Sequence, residues 1–235
     1  MMDGILLVDK PTDWTSHDVC AFVKRRHKID KVGHAGTLDP MATGLLVLLL
    51  GQGTKFSMQM SASDKDYEGT FQLGVKTDSH DRQGKVLATA PWETISLEQI
   101  EVESKKFVGE ILQTPPMVSA LKQKGVRLYQ LARKGLEVPR EARKVSVYSF
   151  KFFSKDGAFV KFSASVSKGT YVRTLVNDLG DALGCHGSLS DLRRTRSGVF
   201  KIEQSVTVDQ IKQMTNEEFR AKLLPLSGYA DSHKS

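Results

Sequence analysis

The chain has 235 residues, enough for one large domain or two small ones with a proper core. Its 34 lysines and arginines outnumber its 27 aspartates and glutamates, and the net charge of +7 suits a polyanionic partner without separating RNA from DNA or an acidic membrane. Only two cysteines occur, Cys20 and Cys185, so a disulfide framework is not expected. Both are expected to be buried thiols in a reducing cytosol.

Hydrophobic periodicity predicts strands and helices that mix without strict alternation, which indicates the α+β class. The predicted strands lie at residues 4–9, 45–50, 66–75, 144–153 and 158–166, the last two on either side of the hairpin dipeptide Asp156-Gly157. The predicted helices begin at Ser16, at the capping pair Ser96 and Gln99, and at Val172, and the last two end at Gly109 and Gly184. A loop is expected over 29–40.

No segment indicates a membrane or secretory protein. The longest apolar run, Leu45–Leu50, is a buried strand's length and far below the span of a bilayer. The N-terminus lacks the pattern of a signal peptide, so a soluble cytoplasmic protein is expected.

Basic residues gather in four clusters, which together predict a surface that follows an RNA backbone. They lie at residues 24–28, 122–127, 133–144 and 193–196. Two of the four fall within residues 113–144, a segment that the sequence alone indicates is a long surface excursion.

Two short segments could be mistaken for ligand sites. Residues 51–55, Gly-Gln-Gly-Thr-Lys, could mimic a phosphate-binding nest, but a strand-to-helix turn fits them better. Residues 77–81, Thr-Asp-Ser-His-Asp, could be taken for a metal site, but the polarity of a hairpin loop closed by Gly84 explains them better.

Asp39 stands in a glycine-framed segment, GHAGTLDPMATGLL, at residues 33–46. Glycines let a backbone approach a partner closely, and Pro40 biases Asp39 to an extended conformation. A carboxylate on such a loop, beside a buried strand, is how a scaffold presents a catalytic group. An aspartate that merely caps a turn is the alternative.

That segment resembles the signature of the bacterial tRNA pseudouridine-55 synthases, the TruB family, written G-H-x-G-x-L-D-P-x-A-x-G-x-L. Further blocks follow in the family's order, and the resemblance covers roughly residues 3–225. They are GILLVDKP from residue 4 with Ser16, TKF from 54, DKDY from 64, GVKTD from 74, QTPPMVSALK from 113, VPREAR from 138, KGTYVRT from 168 and LRR from 192.

The resemblance implies a catalytic role for three residues. Asp39 would be the catalytic carboxylate, acting as a nucleophile on the ribose or the uracil or as the base that starts glycal formation. Arg173 would pair with Asp39, because a guanidinium favours the ionised carboxylate and fixes its rotamer. Tyr67 would stack on the flipped uracil and offer its hydroxyl to remove the C5 proton. By residue type alone, Arg173 could be a surface charge and Tyr67 a core tyrosine.

The remaining site residues implied by the resemblance bind the substrate. Tyr171 and Leu192 would make further contacts to the uridine, and His34 would support the flipped nucleotide, although a lone loop histidine is usually a solvated turn residue. Lys10 and Lys55 match family motifs as weaker candidates for structural or phosphate-binding roles.

The implied protein is an isomerase that turns uridine 55 in the T-stem–loop of tRNA into pseudouridine. The reaction needs no metal or other cofactor, and the sequence carries no Walker loop, CxxC pair or HxxxH pair. The family's fold implies a mixed, mainly antiparallel sheet with flanking helices in a single catalytic domain, residues 1–226. Residues 113–144 would be a thumb-like insertion over the RNA, 227–235 a flexible tail, and no PUA domain would follow. A monomer without a membrane or an obligatory protein partner is expected.

Three rival functions fit some of the same features. An RNA-binding or tRNA-folding protein without catalysis would share the basic clusters and aromatics, but it does not need Asp39, Tyr67 and Arg173 together. A nucleoside hydrolase would require a second acid beside Asp39, and Asp30 has no motif around it. A synthase that works within a guide-RNA complex would carry long basic tails and an extra domain.

Overall fold

The computed structural model describes residues 2–119, 122–123, 126–128, 131, 136 and 138–227; of residues 122, 123, 126 and 127 it describes the backbone. Two compact units make up this part of the chain. The first unit comprises Met1–Tyr67 and Arg193–Ser235, and the second comprises Glu68–Leu192. The prediction of a single catalytic domain over residues 1–226 stays a prediction.

The strands and helices follow one another irregularly along the chain. The strands are β1 Gly4–Lys10, β2 Val32–His34, β3 Thr43–Leu50, β4 Lys65–Leu73, β5 Val75–Thr77, β6 Val86–Thr89, β7 Gly109–Gln113, β8 Lys122–Gln123, β9 Val126–Arg127, β10 Arg143–Asp156, β11 Phe159–Val166, β12 Gly187–Ser197, β13 Phe200–Lys201 and β14 Val206–Thr207. The helices are α1 Ser16–His27, α2 Ser57–Ser61, α3 Leu97–Ser104, α4 Val172–Ala182, α5 Val208–Gln213 and α6 Asn216–Ala221.

The first unit is built around β3, whose residues from Gly44 onward are all buried. One edge of β3 pairs antiparallel with the whole of β1, from Gly4 opposite Leu50 to Lys10 opposite Gly44. The other edge pairs antiparallel with β2 and parallel with β12. Because β3 is covered on both faces and paired on both edges, the prediction of a buried central strand is confirmed.

Helix α1 begins with a reciprocal capping box and ends against α5 and α6. Thr15 and Asp18 bond each other's backbone N–H groups, and the predicted helix start at Ser16 is confirmed. At the other end, Arg26 donates to the carbonyls of Lys212 and Met214. The first basic cluster, residues 24–28, therefore serves helix packing at Arg26 as well as facing solvent.

The strand order in the second unit is β4-β11-β10-β7, and β10 pairs antiparallel with both β11 and β7. The hairpin between β10 and β11 closes at Asp156 opposite Phe159, with Gly157 at a φ of 53°. Four phenylalanines fill the core beneath it, at ring-centroid distances of 4.7 to 6.2 Å: Phe71, Phe150, Phe152 and Phe162. The mainly antiparallel pairing and the helices beside it confirm the predicted α+β class.

Element boundaries differ from the predicted ones where glycine changes the direction of the backbone. The strand predicted to reach residue 75 ends at Leu73, because Gly74 has a φ of 88° and interrupts the pairing. The helix capped by Ser96 and Gln99 is confirmed at its start but ends at Ser104, after which a 3₁₀ turn leads to Gly109. Residues 29–40 contain the short strand β2 rather than loop alone.

Residues 51–55 do form a strand-to-helix turn: a 3₁₀ helix, Gly51–Phe56, leads from β3 into α2. The thumb-like insertion, residues 113–144, falls partly outside the described residues, as does the predicted tail beyond residue 227. Within what is described, β8 and β9 pair antiparallel, and both assignments stay predictions. Cys20 and Cys185 are buried free thiols, and burial raises the pKa of Cys20 to about 12. Across the described residues, no helix is long and apolar enough to cross a membrane.

Candidate active site

Asp39 lies half-buried on the segment between β2 and β3, in the first unit. A glycine with a positive φ lies near each end of the segment: Gly36, two residues after β2, has a φ of 100°, and Gly44, the second residue of β3, has a φ of 97°. A Cβ on Gly44 would lie 2.4 Å from the carbonyl oxygen of Arg194, so the close approach of β3 to β12 requires glycine there.

Ser16 fixes the residue before Asp39. The Ser16 hydroxyl accepts a hydrogen bond from the backbone N–H of Leu38 at 2.8 Å and donates one to the Leu38 carbonyl at 3.1 Å. Both residues are buried. One hydroxyl at the start of α1 thus satisfies both main-chain polar groups of Leu38 and fixes how the segment enters Asp39.

Replacing Ser16 with Ala is expected to lower the free energy of unfolding by about 2 kcal/mol, because both buried polar groups of Leu38 lose their partner. Urea denaturation of the purified variant measures this loss. Ser205→Ala is the control, because its hydroxyl bonds a single carbonyl, that of Ile202, and a smaller loss is expected. A Ser16→Ala protein as stable as the wild type would show that the hydroxyl does not hold the segment.

Lys10 fixes the residue after Asp39. Its fully buried ammonium donates to the carbonyls of Pro40 at 3.1 Å, Trp14 at 2.6 Å and Pro11 at 2.8 Å. Burial lowers the pKa of Lys10 to about 8, and the negative charge of Asp39 opposes that shift. Because all three donors of the ammonium bond backbone carbonyls, the structural role is favoured over the phosphate-binding one.

The first unit also contains the predicted residues His34 and Tyr67. His34 ends β2, half-buried and opposite Leu48 of β3. Tyr67 lies on β4 and is buried, on the same alternating face as Phe71 and Leu73. The other three predicted residues, Tyr171, Arg173 and Leu192, belong to the second unit.

Arg173 is buried near the start of α4 and donates to several acceptors. Its guanidinium donates to Asp81 Oδ2 and to the Ser79 carbonyl, each at 3.4 Å, and to the Val118 carbonyl. The side chain is only 4% exposed, so the interpretation of Arg173 as a surface charge is wrong. The Tyr171 ring lies 5.6 Å from the guanidinium carbon, within cation–π range.

Asp81 is the residue that the sequence analysis missed. Residues 77–81 do join the hairpin strands β5 and β6, but Thr77, Ser79 and Asp81 are buried and not loop residues in solvent. The Asp81 carboxylate accepts from Ser79 Oγ at 2.6 Å and from the Gln83 N–H at 3.0 Å, in addition to Arg173. A buried carboxylate needs a cation, and α4 supplies it from a distant part of the sequence.

Tyr171 is held by its backbone. The buried Gln113 side chain accepts from the Tyr171 N–H at 2.7 Å and donates to the Tyr171 carbonyl at 3.1 Å. This paired bond fixes the residue that precedes α4. Leu192 lies buried on β12. The described residues contain no group of three or more His, Cys, Asp or Glu side chains that could hold a metal ion.

The three arginines of the basic cluster at residues 193–196 all have partners within the protein. The Arg193 guanidinium donates two hydrogen bonds to the Asp9 carboxylate, at 3.0 and 2.6 Å. The Arg196 guanidinium donates two to the Asp66 carboxylate, at 2.5 and 2.8 Å. Arg194 is buried and donates to main-chain carbonyls. Only Arg194 is buried, while Arg193 and Arg196 stay partly exposed, so an RNA-facing role for this cluster stays a prediction.

Comparison with known proteins identifies the family of this chain. Residues 24–172 match the family model described as TruB family pseudouridylate synthase (N terminal domain), and residues 173–228 match the tRNA pseudouridylate synthase B C-terminal domain. A protein of Opitutus terrae named tRNA pseudouridine synthase B is 46% identical over 231 residues, covering 98% of this chain and 96% of that protein. A Vibrio vulnificus protein of the same name is 44% identical over 224 residues, covering 95% of this chain and 71% of that protein.

Two solved structures share the fold. The chain matches one in the crystal structure of a Cbf5-Nop10-Gar1 complex with a TM-score of 0.73 and 30% identity, over 96% of this chain and 60% of that one. A structure of an H/ACA RNP bound to a substrate RNA containing 2′-deoxyuridine matches with a TM-score of 0.69 and 27% identity, over 95% of this chain and 59% of that one. The chain thus spans about 60% of the length of these solved chains. By sequence and by fold, the chain belongs to the TruB family of pseudouridylate synthases.

Proposed function

We propose that this protein converts uridine 55 in the T-loop of tRNA to pseudouridine, with Asp39 as the catalytic carboxylate. The observation that carries the proposal is the fixed backbone around Asp39: Ser16 holds Leu38 on one side and Lys10 holds Pro40 on the other. A catalytic group must be held within a fraction of an ångström of its target. The hydrogen bonds to Leu38 and Pro40 restrict the backbone on both sides of Asp39 in this way. The relatives named tRNA pseudouridine synthase B supply the substrate class.

The isomerisation breaks the bond between uracil N1 and ribose C1′ and forms one between uracil C5 and C1′, while C5 loses a proton and N1 gains one. An anionic Asp39 serves as the nucleophile on the ribose or the uracil, or as the base that starts glycal formation. In each role it must be ionised, and the lysine beneath the loop favours the ionised form because its positive charge lies close to Asp39.

The other predicted residues take the supporting roles. Arg173 pairs with the Asp39 carboxylate and fixes its rotamer, using a guanidinium that Asp81 and two carbonyls already orient. Tyr67 stacks on the flipped uracil and accepts the C5 proton. Tyr171 and Leu192 contact the uridine, and His34 supports the flipped nucleotide.

The substrate is read mainly by shape. Extracting a base from a stack costs a few kcal/mol, and the cost is least where the RNA already forms a loop. The T-stem–loop therefore suits a pocket that accepts a flipped uridine. We propose that the protein acts on it as a monomer, without an obligatory protein partner.

Tritium release from tRNA that carries 5-³H-uridine tests the function, because only loss of the C5 proton releases the label as water. The purified protein is expected to release the label from the uridine at position 55, and a tRNA with cytidine at that position is the control. Release of free uracil instead would indicate a nucleoside hydrolase. Binding without either product would indicate an RNA-binding protein that performs no catalysis.

The predicted thumb should supply phosphate contacts. Changing Lys122, Lys124 and Arg127 together to Gln is expected to weaken tRNA binding and to flatten its salt dependence by up to about one log–log unit per lost contact. Titrations across a range of salt concentrations measure the slope. The exposed residues Lys85, Lys105 and Lys106, changed to Gln in the same way, are the charge-matched control. An unchanged slope in the first variant would contradict the thumb assignment.

A further inference from the structure

Arg194 bonds both ends of the segment that carries Asp39. Its Nε donates to the Leu45 carbonyl at 2.7 Å, and its Nη2 donates to the Gly36 carbonyl at 3.1 Å. Residues 37–44, here called the Asp39 loop, run between these two carbonyls. Arg194 is 1% exposed and is one of the largest fully buried side chains of the described chain.

We infer that Arg194 is a positioning residue for Asp39, which closes the base of the Asp39 loop. The inference rests on the proposed catalytic role of Asp39. The guanidinium is rigid and planar, so two of its N–H groups hold the two carbonyls at one separation and one angle. A flexible ammonium, or an apolar side chain of the same length, cannot impose that geometry.

Two glycines lie against Arg194. Gly36, which precedes the Asp39 loop, has a φ of 100°, and a Cβ on it would lie 3.5 Å from Nη1 of Arg194 and 3.6 Å from Cε of Lys65, both ordinary van der Waals contacts. Gly44, the last residue of the Asp39 loop, lies against the Arg194 backbone: a Cβ on Gly44 would lie 2.4 Å from the Arg194 carbonyl oxygen. Arg194 thus contacts the residue that precedes the Asp39 loop and the residue that ends it.

Its two neighbours on β12 behave differently. Arg193 and Arg196 bond the carboxylates of Asp9 and Asp66 through partly exposed forks, the usual way to stabilise a surface arginine. Burying a cation is costly, and Arg194 recovers that cost through charge-assisted bonds to main-chain oxygens. Such a residue fixes geometry more than it adds stability.

The consequence for the reaction follows from position. Arg194 acts on Asp39 through the Asp39 loop. Loss of the Arg194 side chain should therefore slow the chemical step and leave RNA binding nearly unchanged. Misplacing a catalytic group by about 1 Å can cost about 100-fold in rate.

The test compares Arg194→Met, Arg194→Lys and the control Arg196→Met, which removes an arginine from the same strand. For Arg194→Met we expect a 10- to 100-fold slower single-turnover conversion at saturating enzyme and a tRNA Kd within twofold of the wild type. Arg194→Lys should recover part of the rate, and Arg196→Met should stay within twofold. Hydrogen exchange of the Asp39 loop amides should accelerate in both Arg194 variants while the core amides of β3 keep their protection.

Three results would overturn the inference. One is a normal rate in a folded Arg194→Met protein, and another is a loss of tRNA affinity as large as the loss of rate. The third is global unfolding of both Arg194 variants, which would make Arg194 a residue of general stability. Failure of the proposed function itself would appear elsewhere, as an inactive wild type or as an Asp39→Asn protein with normal turnover.

Discussion

Replacing Asp39 with Asn is expected to slow the single-turnover conversion of uridine to pseudouridine by at least roughly a thousandfold, about 4 kcal/mol in the activation free energy. An amide cannot act as an anionic nucleophile or as a base, whichever of these roles Asp39 has. Folding should persist, because Asn is nearly isosteric and suits a turn, and because Ser16 and Lys10 hold the loop through the backbone of Leu38 and Pro40.

The measurement pairs the rate at saturating enzyme with a binding titration on the same variant. Near-normal turnover would refute the proposed mechanism. Parallel loss of binding and turnover would instead indicate that Asp39 is structural, and the melting temperature would then fall as well. An unchanged affinity with a collapsed rate is the expected pattern.

Replacing Asp81 with Asn is expected to lower the free energy of unfolding by about 3–5 kcal/mol. The change removes one carboxylate that bonds the buried Arg173 guanidinium, and breaking one side of a buried pair is strongly destabilising. The Ser79 hydroxyl and the Gln83 N–H, which donate to the same carboxylate, lose a charged acceptor too.

The matched control is Asp66→Asn, the same substitution opposite another arginine. The Asp66–Arg196 pair is about one-third exposed, so its loss should cost less than about 1 kcal/mol. Urea denaturation of both variants decides the matter, and equal losses would show that burial of the Arg173 pair adds nothing. Turnover of Asp81→Asn at a temperature where it stays folded would report how far Asp81 orients Arg173.

The sequence predicted best what depends on local pattern. The apolar run at residues 45–50 and the turn pair Asp156-Gly157 encode β3 and the β10–β11 hairpin within a few residues of chain, and both are present. Asp39 can be proposed as a catalytic residue from sequence because its motif is contiguous. Partners that lie far apart in sequence were not found, as with Asp81 and Arg173, because no spacing rule links two positions on different elements.

Clusters of charge along the sequence do not show which cations have partners within the protein. Arg193, Arg194 and Arg196 look like a solvated basic face when counted along the chain, yet each has an internal partner. Whether a strand cation faces water depends on which strand lies beside it, and that is a tertiary property. Gly44 does not identify Arg194 either, because the close contact at Gly44 is with the backbone of residue 194, which any residue there would have.

The anchoring of Tyr171 and Arg173 has a mechanical consequence. The Gln113 side chain bonds the backbone N–H and carbonyl of Tyr171, and the Val118 carbonyl accepts from Arg173. The first residues of the 113–144 segment are therefore hydrogen-bonded to the start of α4 at two points. A displacement of residues 113–118 would therefore be transmitted to the start of α4 through these bonds, and a substitution that removes the Gln113 side chain should weaken that transmission.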